Sequence, residues 1–214
     1  TTSVMSVVLL IAAPMGYKYG SSLLMSSLGT VMLALVLAFL VAALSLGLLL
    51  YVKKHQMLRD RKLLLIALAV SVIPMIAILP SVLKGTSVPP IHDISTDTQS
   101  PPIFHAIVTE RLVGAKDESI VNDLAYGAGF DSPAVLAKLQ QDAYPDIKTL
   151  ELDTDVVSAV ALTSKILENA GMAIVNIDPD LGIVEATATT FWFGFKDDVV
   201  VRIRPTRTGS KVDV

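Results

Sequence analysis

The chain has 214 residues, of which 52% are hydrophobic and 17% charged, with a formal net charge of −3 and no cysteine. Its mean hydropathy of +0.62 is high for a water-soluble domain. The lack of cysteine excludes disulfides, thiolate catalysis and thiolate-bound metals.

The charge is unevenly placed. Residues 1–84 hold a single acidic residue, Asp60, against seven lysines and arginines, whereas residues 85–214 hold 19 acidic and 10 basic residues. This asymmetry predicts a membrane part followed by an acidic, water-exposed part. An acidic surface repels phosphate backbones, so nucleic acid is not an expected partner.

Three apolar stretches come first. Thr1–Tyr17 is short and carries Pro14 near its end. Gly29–Val52 is uncharged and, as a helix, about 36 Å long, enough for a bilayer core of about 30 Å. Leu63–Leu83 is a second uncharged run, with Pro74 and Pro80 expected to kink it or loosen its end. All three read as transmembrane helices. Beginning at Thr1 and ending within a strand, the sequence reads as a segment of a longer protein.

The loop Lys53–Lys62 carries Lys53, Lys54, His55, Arg59, Arg61 and Lys62 against Asp60. By the positive-inside rule it is cytoplasmic. That puts the N-terminus in the cytoplasm and everything after Lys84 outside, in the periplasm for a bacterial inner membrane. None of the spans has an ionisable residue in its interior, which argues against a pump or an ion-coupled transporter. Thr30, Ala34, Ala38 and Ala42 recur every four residues and predict a small-residue ridge for close helix packing, with the third span as one available partner.

Residues 85–148 read as a Pro-rich strap and short helices. The strap, "VPPIHDISTDTQSPPIF" (Val88–Phe104), contains His92, Asp93 and Asp97. These could form a polar site for a metal or for acid–base chemistry. The competing reading is structural. Pro89 and Pro90 force an extended chain, in which Asp93 and Asp97 share a face opposite His92. Asp93, Thr96, Asp97 and Thr98 would then bond local backbone amides. "FHAIVTERLVG" and "SPAVLAKLQQDA" predict short helices, the second with Ser132 as N-cap and Pro133 at the first helical position.

From Thr149 the pattern is β-α-β-β-β-β. "TLELD" is a short strand. Asp153 is the expected N-cap of a helix with Asp155 in its first turn, and Val156, Ala159, Val160, Thr163, Ile166, Leu167 and Ala170 mark its apolar face. Gly171 fits the residue after the helix. "MAIVNI", "IVEATATT", "VVVRIR" and "SKVDV" follow as strands, with Val199, Val201 and Ile203 on one face and Arg202 and Arg204 on the other. The expected fold is an amphipathic helix on an antiparallel sheet, an α+β layer of residues 149–214 behind a three-helix anchor of residues 1–84. The order resembles small helix-grip domains of the bacterial envelope.

In "FWFGFKDD", Phe191, Phe193 and Phe195 alternate with Trp192 and Gly194 if the stretch is extended. Such rings belong to a core, a ligand wall, or a contact with lipid or a partner protein, and Trp192 is the candidate outside the core. Asp197 and Asp198 read as a solvated turn. No nucleophile-elbow, zinc-protease, phosphate-loop or dinucleotide fingerprint is present, so no catalytic residue, metal or cofactor is expected.

The strings "SVPPIHDISTDTQSPPIF", "YPDI" (Tyr144–Ile147) and "IVEATATTFWFGFKDDVVVRIRP" through "GSKVDV" together resemble the bacterial family catalogued as domain of unknown function 1499, over residues 87–214. The three-span anchor resembles its longer members, which run on past such a final strand into further polar sequence and another helix. The resemblance implies a fold and an envelope setting and transfers no catalytic residue.

Three functions follow as expectations. The first is a non-catalytic accessory or scaffold subunit of an inner-membrane complex, with other membrane subunits and lipids as partners. The second is a periplasmic module binding lipid or another apolar ligand between helix and sheet, in a cavity lined by Phe191, Phe193 and Val160. The third is an envelope hydrolase using His92 and nearby aspartates.

Overall fold

The structure, a computed structural model, describes residues 2–54, 61–86, 88–113 and 124–214. The chain forms two compact units, Thr1–Ser87 with Phe191–Phe195, and Val88–Thr190 with Lys196–Val214.

Among its described residues the first unit has three helices, α1 (Thr2–Lys18), α2 (Leu24–Lys54) and α3 (Arg61–Gly85), each in contact with the other two. Residues 55–60 of the basic loop, with His55 and Arg59, lie outside the described residues. Helices α2 and α3 are long and apolar enough to cross a membrane, while α1 is a shorter apolar helix of 17 residues. Helix α3 runs on to Gly85 with Pro74 and Pro80, the residues expected to kink it or loosen its end, inside it. Neighbouring helices can re-satisfy the backbone groups that proline frees.

Inside and outside are inverted in this unit relative to a water-soluble bundle. Many of the buried positions carry small or hydroxyl side chains: Ser3, Ser6 and Ala13 on α1, Ser27, Ala34, Ala38 and Ser45 on α2, Ser71 on α3. The hydroxyls of Ser6 and Ser71 donate to the carbonyls of Ser3 and Leu68 in their own helices, so they need no partner across the seam. Most of the large side chains, among them Val8, Ile11, Met32, Phe39, Leu44, Ile66 and Ile76, face outward, while Leu10, Val31 and Val52 are buried.

In the second unit five strands make one antiparallel sheet, β1 (Leu150–Leu152), β2 (Ala173–Asp178), β3 (Ile183–Thr189), β4 (Lys196–Pro205) and β5 (Ser210–Asp213), in the order β1-β5-β4-β3-β2. Among the described residues three helices accompany it, α4 (Ala106–Leu112), α5 (Pro133–Ala143) and α6 (Val156–Asn169). Ser132 is the N-cap of α5 and Pro133 opens it.

Helix α6 packs on one face of the sheet. Ala159 and Val160 meet Val184, Val201, Ile203 and Val212, all nearly or fully buried, with Val156, Leu167 and Val199 at the edge. The apolar face of α6 is narrower than its sequence suggests, because Ile166 and Ala170 are exposed. The helix also starts later than expected. Asp155, not Asp153, is the N-cap, accepting from the Ser158 amide at 3.0 Å and the Ser158 hydroxyl at 2.7 Å. Ser158 supplies two donors three residues on, which fixes the cap at Asp155. At the other end Gly171 has φ +82°, and the amides of Gly171 and Met172 return to the carbonyls of Glu168 and Leu167, closing the last turn.

The strap, α4 and α5 belong to the other face of the sheet. The strap runs beside the end of β5, where the Thr96 amide donates to the Val214 carbonyl at 2.9 Å and the Val214 amide donates to the Thr96 hydroxyl at 2.9 Å.

Candidate functional site

The strap face of the sheet is built from the residues that alternate with the apolar core: Glu185 and Thr187 on β3, Asp198, Val200, Arg202 and Arg204 on β4, Asp213 on β5. A row of charges under a covering layer demands partners, because an unpaired buried ion costs several kcal/mol. Each carboxylate of the row finds them.

Glu185 is fully buried and accepts from the amides of His105 at 2.6 Å and Ala106 at 2.8 Å, with Asn176 adding a side-chain amide at 3.2 Å. A side chain 79 positions away thus caps the start of α4, where no local cap forms. Asp198 takes both arms of Arg111, the Nε bond being 3.0 Å, and accepts from the Thr187 hydroxyl at 2.6 Å. It is not the solvated turn residue that the sequence suggests, since β4 begins at Lys196 and carries Asp198 under α4.

Asp213, fully buried, accepts from Arg204 at 2.6 Å, Arg202 at 3.3 Å and the Thr149 hydroxyl at 2.6 Å. Burial alone would push its carboxyl up. The bonds from Thr149, Arg204 and Arg202 outweigh that and hold it below the ordinary aspartate range. Asp97 of the strap shares the same two arginines, at 3.2 Å to Arg202 and 3.1 Å to Arg204, while its other oxygen accepts from the amides of Gln99 and Ser100. Arg202 also donates to the Ser100 carbonyl at 2.7 Å.

Gln140 of α5 completes the fastening. Its buried amide donates to the Ser95 carbonyl at 2.6 Å and accepts from the Ser95 amide at 3.0 Å, and the Tyr126 hydroxyl donates to the same oxygen at 3.0 Å.

Beside this layer lies a cavity of about 410 Å³. Its polar lining includes His92 and Asp93 from the strap, Tyr126, and Lys196, Asp197 and Asp198 from β4. Its apolar lining includes Phe104, Pro101, Pro102, Val200 and Val214. Asp93 accepts from the Gly127 amide at 3.1 Å. Burial pushes its carboxyl up, against smaller downward pulls from that bond and from His92. Burial and the Asp93 charge push the Tyr126 hydroxyl up.

The structure therefore brings His92 and Asp93 to one cavity and sends Asp97 to the arginines. Among the described residues no group of three or more His, Asp or Glu side chains is placed to hold a metal ion. Val160 is part of the packed core between α6 and the sheet, and Phe191 and Phe193 belong to the helical unit.

"FWFGF" is a turn, not an extended strand. Gly194 has φ +71°, and a Cβ there would lie 2.9 Å from the Lys18 Cγ. The left-handed residue folds the rings together instead of alternating them. Phe193 and Phe195 stack at 5.0 Å, with Tyr17 tilted against both at 6.2 and 5.7 Å. Trp192 and Phe193 pack on Leu10, Ala13, Val31 and Ala34, while Phe191 is 82% exposed. On the ridge, Ala34 and Ala38 are fully buried and Thr30 and Ala42 half-buried.

Sequence reasoning misses Arg111, Gln140, Tyr126 and the role of Glu185. Only Glu185 gives a signal, a carboxylate in the middle of the apolar strand "IVEATAT".

A family model described as protein of unknown function (DUF1499) matches residues 93–214, and the chain belongs to that family. No curated protein and no solved structure matches it.

Proposed function

From family membership and this geometry, we propose that the chain is a multi-pass protein of the bacterial inner membrane with three spans, a cytoplasmic N-terminus and a periplasmic C-terminal domain. The domain is an accessory or scaffold subunit of a membrane complex and acts by contact, not by chemistry. The observation that carries the membrane setting is the inverted packing of α1–α3, with serine and alanine prominent inside and most of the valine, leucine, isoleucine and phenylalanine outside. In water that exterior would drive association, whereas in lipid small residues at the seam are the usual means of close helix packing. The non-catalytic reading is supported by the strap face, where Asp97, Asp198 and Asp213 are each held by arginine and Glu185 by backbone amides.

The test is purification of the full-length protein from its native membrane in mild detergent, with mass spectrometry of what elutes. A protein partner at fixed stoichiometry is the expected result. Elution alone, or with lipid only, overturns the subunit reading.

A second reading is favoured by the 410 Å³ cavity, which would take a small molecule with both polar and apolar parts. This moves ligand binding from the α6 side of the sheet to the strap side. Native mass spectrometry of the same eluate separates the two. A retained small molecule lost in the Asp93→Ala and Tyr126→Phe variants supports the second.

A further inference from the structure

The aromatic turn raises a separate question, because five residues of the connection between two strands are built into a bundle of apolar helices. Resting on the membrane reading above, we infer that Phe191–Phe195 is an interfacial lipid anchor, seated at the boundary between headgroups and acyl chains.

Depth along the helices gives the first argument. Trp192 and Phe193 pack against the buried cluster that holds Val31 and Ala34 of α2, and Ile78 of α3 packs against the same cluster. Val31 lies about 33 Å along α2 from the basic end at Lys53, and Ile78 about 26 Å along α3 from Arg61. A hydrocarbon core is about 30 Å thick. Two helices running in opposite directions thus place this cluster, and the rings packed on it, at the far border of the core.

Composition gives the second. Tyr17, Trp192, Phe193 and Phe195 gather there, with Phe191 at Lys18, and aromatic side chains with a polar edge concentrate at that depth. Phe191 is 82% exposed, and Tyr19, Leu23 and Met25 of the same unit are more than 70% exposed. This apolar surface is continuous along the chain with the outward-facing side chains of α1 and α2.

Charge gives the third. The Lys18 ammonium donates to the Phe191 carbonyl at 2.9 Å and lies 5.4 Å from the centre of the Phe191 ring. Its alkyl stem packs at Gly194. A lysine with an apolar stem along the rings and its charge at their edge suits the phosphate level of a bilayer.

Trp192 is the single tryptophan, so the unmodified protein carries its own probe. The full chain is reconstituted into phosphatidylethanolamine–phosphatidylglycerol vesicles brominated either near the acyl carbonyl or near the chain end. The expected result is loss of Trp192 emission chiefly to the bromines near the carbonyl, with little loss to iodide in the water. The double variant Phe191→Trp, Trp192→Phe moves the probe to the outermost ring, and the same order is expected. Protein that stays in the vesicles through an alkaline wash, yet loses emission to iodide and not to lipid, overturns the anchor and leaves the membrane reading standing. Protein that the wash strips off overturns both.

Discussion

The two faces of the sheet use the same strands in opposite ways. On β3, Val184 and Ala186 face α6 while Glu185 and Thr187 face the strap. On β4, Val201 and Ile203 face α6 while Asp198, Arg202 and Arg204 face the strap. Burial of aliphatic side chains holds the first face, which is non-directional and indifferent to salt and pH. Directional bonds between charges hold the second, and it stands or falls with protonation. Two faces of one sheet should therefore fail under different conditions.

The two largest effects should come one from each face. Asp213→Ala leaves Arg202 without its buried partner and should cost about 3 kcal/mol, below the upper range for broken buried pairs because Arg202 keeps Asp97 and Arg204 is partly in water. Denaturant unfolding of the full chain in detergent, followed through amide exchange in β4 and β5, measures this. Ile203→Ala on the opposite face should cost about 2–4 kcal/mol by the same measurement, unchanged between low and high salt. Equal salt dependence of the two would break the comparison.

Glu185→Gln keeps the shape but turns one acceptor into a donor facing amide protons. A loss of about 1.4 kcal/mol is expected, read as roughly tenfold faster exchange at Ala106. The smallest effect is expected at the exposed Lys211–Glu151 pair, where Lys211→Ala should change stability by less than about 0.5 kcal/mol.

These differences also explain what could be read from the sequence. The aliphatic face was legible because alternation places Val199, Val201 and Ile203 together without knowledge of their partners. The pairing of Arg202 and Arg204 on one face was legible for the same reason. Their shared partners, Asp97 and Asp213, were not, since Asp97 lies more than 100 positions away and an isolated aspartate in a turn-rich strap also suits a local Asx turn. Asp97 does both, with one oxygen on local amides and the other on the arginines. The aromatic turn was misread because alternation of rings assumes an extended backbone, and Gly194 breaks that assumption. The cavity joins His92 and Asp93 to Tyr126 and β4, segments with no shared period along the chain.

The claim that charges fasten the strap is tested most directly by pH. Asp213 has a folded value below the ordinary aspartate value of about 3.9, so its contribution is fully present above that value and is lost as pH falls through the lower, folded one. Hydrogen exchange of the full chain, corrected for the intrinsic pH dependence of the chemistry, should be followed downward from neutral pH in wild type and in Asp213→Asn. The account predicts that in wild type the Thr96 and Val214 amides lose protection below about pH 4 while β3 and β4 amides keep theirs, and that in Asp213→Asn the strap is already weakened at neutral pH with a flatter acid limb. Strap amides that stay protected through the acid range, or a strap and sheet that open together with no difference in the variant, would contradict it.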